Sequence, residues 1–568
     1  MEDLQNSSVT RCIIDGICYC LNLSTKTAAV TRHDSDESKN RDFYKGAIVI
    51  PATITYNDEK YAVTSIDRYT FSGCTAMTFV SIPNSMTEIG DSAFSGCSDL
   101  ETVIFHAKNC TKMGMFDYHV FEGCHKLTTL TIGEKVTTIP AFAFKGCTGL
   151  TSVTIPNSVT KIGDSAFRGC SDLETVIFHA ENCTTMGSYH YPVFEGCHKL
   201  TSLTIGEKVT TIPAYAFYGC SGLTSVKIPN SVTEIGEGAF CGCSGLTSVT
   251  IPNSVTSIGA CAFRGCSGLK LVTIPNSVTK IGSAFRGCSG LTSVTIPESV
   301  TEIGRGAFED CSGLTSIVVD KGNTKYDSRN NCNAIIETAT NTLVCGCKST
   351  IIPESVTRIG VGAFYGCSGM TSVTIPNSVT KIGLGAFFLC SRLTSVTIPN
   401  SMTEIGGYAF CGCSGLTSVT IPNSVTEIRY HAFCGCSGLT SVTIPESVTE
   451  IGESAFQDCS GLTSVTTPDS VIKIGDRAFK GCTGLTSVTI PESVTEIGNG
   501  AFEGCSGLTS VEIPNSVTII GKRAFEGCSG LTSLTIPNSV TKISDNPFLV
   551  CVLVRNVSLV HNPPKCGK

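Results

Sequence analysis

The chain has 568 residues, of which 41% are hydrophobic and only 15% charged, and it contains no tryptophan. Against 47 acidic residues stand 40 lysines and arginines, a net charge of −7; this excludes the basic footprint of a nucleic-acid binder and argues against an anionic membrane as partner. No apolar run approaches the ~20 residues of a membrane-spanning helix, so no membrane insertion is expected.

Met1 to Thr10 is polar and acidic, and no cleavable export signal is expected there. Residues 1–62 read as an N-terminal β cap. Ile13 to Thr31 predicts a β-hairpin, and a second extended pair, AIVIPATITY and YAVTSI, is joined through Asn57, Asp58 and Glu59. Together they would cover the strand edge that the following segment exposes.

From Phe71 to Phe548 twenty phenylalanines recur, most of them 23 residues apart, and each is followed three positions later by a cysteine, from Cys74 to Cys551. A period sustained over so much of the chain predicts a solenoid and not a string of globular domains. Within one period, Leu246, Val249 and Ile251 follow an L-x-x-V-x-I spacing. Ser248 and Thr250 alternate with them, as on a strand with one buried face. Pro252 ends the strand, since it brings no amide hydrogen to a ladder. Val255 and Ile258 add a second short apolar pair. Gly259 is expected to supply a positive φ at a turn, after which Ala262, Phe263 and Cys266 return the chain inward. The fold class is therefore a leucine-rich-repeat solenoid, mainly parallel β, with short turns or single helical turns opposite the strands and a β-hairpin cap.

The first solenoid part covers residues 63–317 and the second 351–551. Between them, residues 318–350 hold a repeat expanded by an edge hairpin, with arms Asn333–Glu337 and Thr342–Cys347 around a Thr-Ala-Thr-Asn turn. A C-terminal strand, Val552 to Val560, and a polar tail fill 552–568. Phe94–Phe144 and Phe167–Phe217 are near copies, 73 residues apart.

Of 33 cysteines, 20 hold the ladder position. Stacked one coil apart, about 4.8 Å, they lie within disulfide range at Cα, yet their side chains point the same way. Buried reduced thiols are the expectation, with disulfides or metal as the alternatives. Substituting Cys390→Ser would then put a hydroxyl in an apolar slot without an assured partner. C-x-C pairs occur at Cys18/Cys20, Cys241/Cys243, Cys345/Cys347, Cys411/Cys413 and Cys434/Cys436, none beside a second pair at zinc spacing. The nine histidines belong to no nucleophile elbow, HExxH or glycine-rich phosphate loop. No catalytic residue, cofactor or metal site is expected. Two acidic rows, Glu446/Asp469/Glu492 and Glu404/Glu427/Glu450, read as a solvated edge, with calcium as the alternative.

Departures from the consensus carry the functional expectation. Two 27-residue units replace TSVTIP with ETVIFHA, which would expose Ile104 beside His106 and Ile177 beside His179. Both then extend the loop before phenylalanine, through Met115, Phe116, Asp117, Tyr118 and His119 in one and Ser188, Tyr189, His190, Tyr191 and Pro192 in the other. Ile104, Tyr118, His119, Ile177, Tyr189, His190 and Tyr191 are the candidate protein-binding residues, because loop aromatics often anchor partners. The alternative is that they fold back over their own core.

The unit AF-x-GCSGLTSVTIP-x-SVT-x-IG resembles the BspA-like leucine-rich repeats of surface proteins from oral and gut anaerobes and some protists, over about Val63 to Asn546. The hairpin NCNAIIETATNTL resembles a recurrent feature of that family, and IDGICYCLNLSTKTAAVT is similar to the start of its mature exported members. The resemblance implies a non-enzymatic, adhesin-like protein at the cell surface or secreted, whose partner is a protein ligand such as an extracellular-matrix or cell-surface protein. An intracellular repeat scaffold, cytoplasmic in location, is the second reading. An ice-binding solenoid, suggested by the exposed Ser and Thr rows, is a remote third.

Overall fold

The computed structural model describes residues 9–34, 37–114, 119–544 and 547–548; the expected strand Val552 to Val560 and Cys551 lie outside them. The chain divides into two compact units, residues 1–291 with 302–304, and residues 292–301 with 305–568. Each is a parallel β-solenoid. In the first unit the strands Ser152–Ile155, Thr175–Phe178, Ser202–Ile205, Ser225–Lys227, Ser248–Thr250 and Leu271–Thr273 form one sheet in chain order. In the second, Ser372–Thr374 starts a row of eight strands that runs to Ser533–Thr535. Pairing is in register: Val249 lies between Val226 and Val272, Ser248 between Ser225 and Leu271. Each of these strands buries a central valine or leucine and turns the residues on either side outward, as in Ser248–Thr250. A second, two-residue strand per coil, such as Glu234–Ile235 or Ser257–Ile258, builds a second parallel row.

The third side of each coil is made of turns. Phe217 and Gly219 donate their amides to the carbonyls of Ala239 and Cys241 one coil on, at 2.8 and 2.7 Å. Among the described residues, Glu37–Phe43 is the one α-helix, and it belongs to the N-terminal region, not to a repeat. Positive φ falls two residues after the ladder phenylalanine, as at Gly242 (φ 75°). Gly259, expected to need it, does not have it. A Cβ there would stand 2.4 Å from the Glu237 amide nitrogen of the preceding coil, so the close approach of two backbones is what demands glycine.

The core is a set of stacks. Phenylalanine rings pile face to face from Phe71 to Phe285 in the first unit, for instance Phe240 on Phe263 at 5.5 Å and 8°. In the second they run from Phe364 to Phe548, with Phe456 on Phe479 at 5.5 Å and 4°. All but the terminal Phe548, which is partly buried, are fully buried or nearly so, an apolar burial worth about 1.5–3 kcal/mol per ring. Beside them run the cysteines. All described cysteines are free thiols, and the ladder thiols donate to a carbonyl of the previous coil: Cys243 to Phe217 O and Cys390 to Phe364 O, each at 3.2 Å. Burial raises the Cys243 thiol well above the ordinary range, and at Cys390 the interaction with Cys413 does so first and burial second.

The N-terminal region differs in detail from the expected hairpins. The expected first hairpin is present as Ile17–Asn22 paired with Thr27–Val30; Val9–Ile14 adds a third antiparallel strand, and Thr27–Val30 also pairs in parallel with Glu59–Ile66. AIVIPATITY breaks at Pro51. Its second half, Thr53–Tyr56, forms the expected hairpin with Glu59–Ile66, while Gly46–Val49 pairs with Met77–Ile82 and so begins the first strand row. Tyr44 closes the aromatic stack, edge-on to Phe71 at 4.7 Å. Its hydroxyl donates to Thr31 O at 2.8 Å and accepts from the Cys18 amide at 3.2 Å, which satisfies the polar end of a buried ring. In the second unit the edge hairpin pairs Ala334–Glu337 with Thr342–Gly346, and its second arm joins the short row through Arg358–Ile359. No helix among the described residues is long and apolar enough to cross a membrane.

Two predictions follow from register and from the thiol bonds. Deleting residues 386–408, one full period, should leave a folded chain with native protease resistance, because coupling is between neighbours only. Deleting residues 386–397 puts phenylalanine opposite strand and should open a cleavage site there. Contrary to the expectation from sequence, Cys390→Ser has a partner waiting in Phe364 O; it should cost about 1 kcal/mol. Cys390→Ala loses that bond and leaves a void, at about 1–3 kcal/mol. The order of the two urea midpoints checks this.

Candidate functional site

The two ETVIFHA strands depart from the repeat in a linked way. Thr102–Phe105 and Thr175–Phe178 bury Val and Phe and turn Ile104 and Ile177 outward. Phe105 and Phe178 replace the usual isoleucine and meet the main stack edge-on, at Phe144 (5.9 Å, 90°) and Phe217 (6.1 Å, 88°). His106 and His179 stand exposed where the strand ends. In the next coil Gly133 and Gly206 take the place of proline, and a Cβ on either would press within 3 Å of the histidine Nδ1. The histidine and the following glycine are thus one substitution in two places. Ile104 lies in register between Ser81 and Thr131, and Ile177 between Thr154 and Thr204. Both are half-buried and not fully exposed, because the neighbouring rows stand only one coil away.

Of the two extended loops, Tyr118 lies outside the described residues together with Met115, Phe116 and Asp117, and His119 is half-buried. The other loop is fully described. The Tyr191 amide donates to Ser188 O at 3.1 Å, which closes a tight bend. Tyr189 and Tyr191 remain 50% and 39% exposed, and His190 is exposed. Tyr189 meets His190, Tyr215 and Tyr218 edge-on at 5.1, 5.8 and 5.9 Å. The loop therefore leans on the next coil without entering the core. It packs against that coil and still presents part of both tyrosine rings to solvent.

A second aromatic patch, on the second unit, was missed by the sequence reading. Tyr365 stacks on Phe388 at 4.9 Å, Phe388 meets Tyr408 at 6.2 Å, and Tyr408 meets Tyr430 at 5.5 Å and stacks on His431 at 4.6 Å and 6°. Val361, Leu389 and Tyr430 beside it are each more than 40% exposed. The signal was present as aromatics at variable turn positions in consecutive repeats, but without a loop insertion to mark them.

Neighbouring cations neutralise one acidic row, and solvent surrounds the other. Glu404 pairs with Lys381 at 3.6 Å and Arg429 at 2.9 Å, Glu427 with Arg429 at 3.3 Å, and Glu450 with Lys473 at 3.5 Å. Glu446, Asp469 and Glu492 are exposed. Among the described residues no group of three His, Cys, Asp or Glu side chains is arranged to hold a metal ion.

The family model described as the BspA type leucine rich repeat region matches residues 52–119, 115–246, 210–336, 341–463 and 449–563. A leucine rich cell surface protein from Faecalibacterium prausnitzii is 26% identical, with 84% of this chain and 94% of that one covered and a TM-score of 0.38. A leucine-rich repeat protein from Bacteroides ovatus is 25% identical over 89% of this chain and 95% of its own, with a TM-score of 0.37. One from Eubacterium ventriosum is 28% identical over 54% and 83%, with a TM-score of 0.48. A search of curated proteins found no match. With the family model spread over nearly the whole repeat region, and the stacked coils built as that repeat requires, the chain belongs to the BspA-type leucine-rich-repeat family.

Proposed function

We propose that this is a non-enzymatic protein-binding repeat protein that works at the cell surface or after secretion, in the manner of an adhesin, and that the aromatic loop edge of the first unit is its contact surface. The observation that carries the reading is the placement of Tyr189, His190 and Tyr191 on an inserted, bridged loop, half in solvent, in a chain with 7% aromatics most of whose phenylalanines are buried in the core stack. Tyrosine on a braced loop offers a large amphipathic contact at little further ordering cost. Ile104 and Ile177, half-buried among hydroxyl side chains on the strand face, extend the apolar part of that surface, and Tyr118 and His119 belong to the duplicate loop. The ligand class is an extracellular-matrix or cell-surface protein, with neither nucleic acid nor lipid involved.

The test is capture of immobilised extracellular-matrix proteins by the wild-type chain and by a variant carrying alanine at Tyr118, His119, Tyr189, His190 and Tyr191. Loss of capture by at least about 10-fold, as expected of removing anchor residues, with a melting temperature lowered by only a few degrees, supports the assignment. Undiminished capture by the variant overturns the loop edge, and no capture by wild type from any matrix overturns the adhesin reading. A second expectation separates strand from loop. Ile177→Thr, which restores the common residue of that row, should leave stability within about 0.5 kcal/mol and weaken capture by a smaller factor.

A further inference from the structure

Two cysteines of the second unit stand apart from the ladder. Cys411 and Cys434 occupy the position just after the ladder phenylalanine in consecutive coils, and both are half-buried at the turn surface. The coils are locked in register there: Gly412 donates its amide to Cys434 O at 2.7 Å, and Leu389 donates to Cys411 O at 2.8 Å. At about one coil spacing, 4.8 Å, the two Cα atoms lie within the range a disulfide tolerates. Ladder thiols share that spacing but are spent on phenylalanine carbonyls in the sealed core. Here the Cys411 amide donates to Tyr408 O at 3.1 Å and the Cys434 amide to His431 O at 3.2 Å, on one turn surface, and Cys411 and His431 both act on the Cys434 thiol. His431 is held by its stack on Tyr408 and by a left-handed backbone, φ 54°.

We propose that Cys411, Cys434 and His431 form a peroxide-reactive dithiol site in which Cys434 is the attacking sulfur and Cys411 the resolving one. The Cys434 thiolate attacks one oxygen of a hydroperoxide. An S–O bond forms, the O–O bond breaks, and the second oxygen leaves as hydroxide or alkoxide and takes up a proton. Cys434 is now a sulfenic acid. The Cys411 sulfur attacks it, the S–S bond forms, the S–O bond breaks, and water departs with the Cys411 proton. Two thiols have been oxidised by two electrons, and the hydroperoxide has been reduced to water and a second water or an alcohol.

The surroundings give the two sulfurs opposite roles. The Cys434 thiol is lowered to about 6, first by the bond from Cys411 and then by the bond and charge of His431, against burial and Asp458, which raise it. Cys411 is raised, first by its bond to Cys434 and then by burial. The other groups acting on the pair are Cys413 and Cys436 in the ladder and Tyr408 on the turn side, and Tyr430 and Glu453 in turn act on Tyr408. Cys241 holds the same turn position in the first unit with no cysteine in the next coil, and burial pushes it up to about 11 in spite of Arg264. It is an internal control with the same location and none of the chemistry.

The experiment treats the full-length reduced protein at pH 7 with a few equivalents of hydrogen peroxide and maps peptides without reduction. A Cys411–Cys434 cross-link forming ahead of any oxidation at Cys241 or Cys261 is the expected result. Iodoacetamide labelling across pH gives an independent reading. Cys434 should label with a midpoint near pH 6 and, at pH 7, at least about 10-fold faster than Cys241. That midpoint should move up by one pH unit or more in Cys411→Ser and in His431→Gln. Peroxide should leave a trappable sulfenic acid on Cys434 in Cys411→Ser. Gln457 and Lys480 fill the same position in the next two coils, so the serine variant should fold, and its melting curve verifies that. Absence of the cross-link in the wild type, or labelling of Cys434 no faster than of Cys241, overturns the proposal.

Discussion

Main-chain hydrogen bonds between one coil and the next, repeated on all three sides, are the constraint on which everything else here rests. They fix the spacing of coils at roughly 4.8 Å, and at that spacing every side chain is stacked on its equivalent one period away. A residue type is therefore chosen once for a whole row. Flat rings tolerate such stacking, and phenylalanine fills one row. A small thiol that can donate to a carbonyl fills the next. β-Branched residues fill the strand row and hydroxyls its outer face. Stacked charge is neutralised by its neighbours in one row, where Lys381, Arg429 and Lys473 serve Glu404, Glu427 and Glu450, and left to solvent in the other, at Glu446, Asp469 and Glu492.

The same constraint explains how function can be added. A core position cannot change alone without disturbing the rows on both sides, whereas a turn position has one face in solvent. The tyrosine loop of the first unit, the aromatic patch of the second and the Cys411/Cys434 pair all sit at turns. Adjacent coils then bring like positions together at no cost in design, so a cysteine at the same variable site in two successive repeats becomes a dithiol. A cysteine that appears once, as at Cys241, stays a packing residue.

Periodicity made the solenoid and the buried Phe and Cys rows readable from the sequence, because each is the same local choice repeated many times, and the edge hairpin stood out as a patterned interruption of that period. What escaped was whatever happens once, or happens between coils. Tyr44 as the plug of the stack, and the helix Glu37–Phe43, have no second copy to reveal them. Gly259 was identified as a special position for the wrong reason: the sequence marks that a side chain is forbidden, but the object that forbids it, the Glu237 amide, lies a period away. Of the candidate site, the residues were legible and their degree of exposure was not. Whether Tyr189 faces water or leans on Tyr215 and Tyr218 depends on a neighbour 26 or 29 residues distant.

The coupling of His106 to Gly133, and of His179 to Gly206, bears on how such a chain can grow. A histidine coil inserted before an ordinary coil would meet proline where it needs glycine, so the single coil is not a portable piece. The portable piece is an interface, the trailing face of one coil with the leading face of the next. The segment repeated here at an interval of 73 residues carries both halves of that interface inside it. Inheritance in this solenoid is thus quantised in junctions, and the seams left by past duplications should fall only where both neighbouring coils present the common faces.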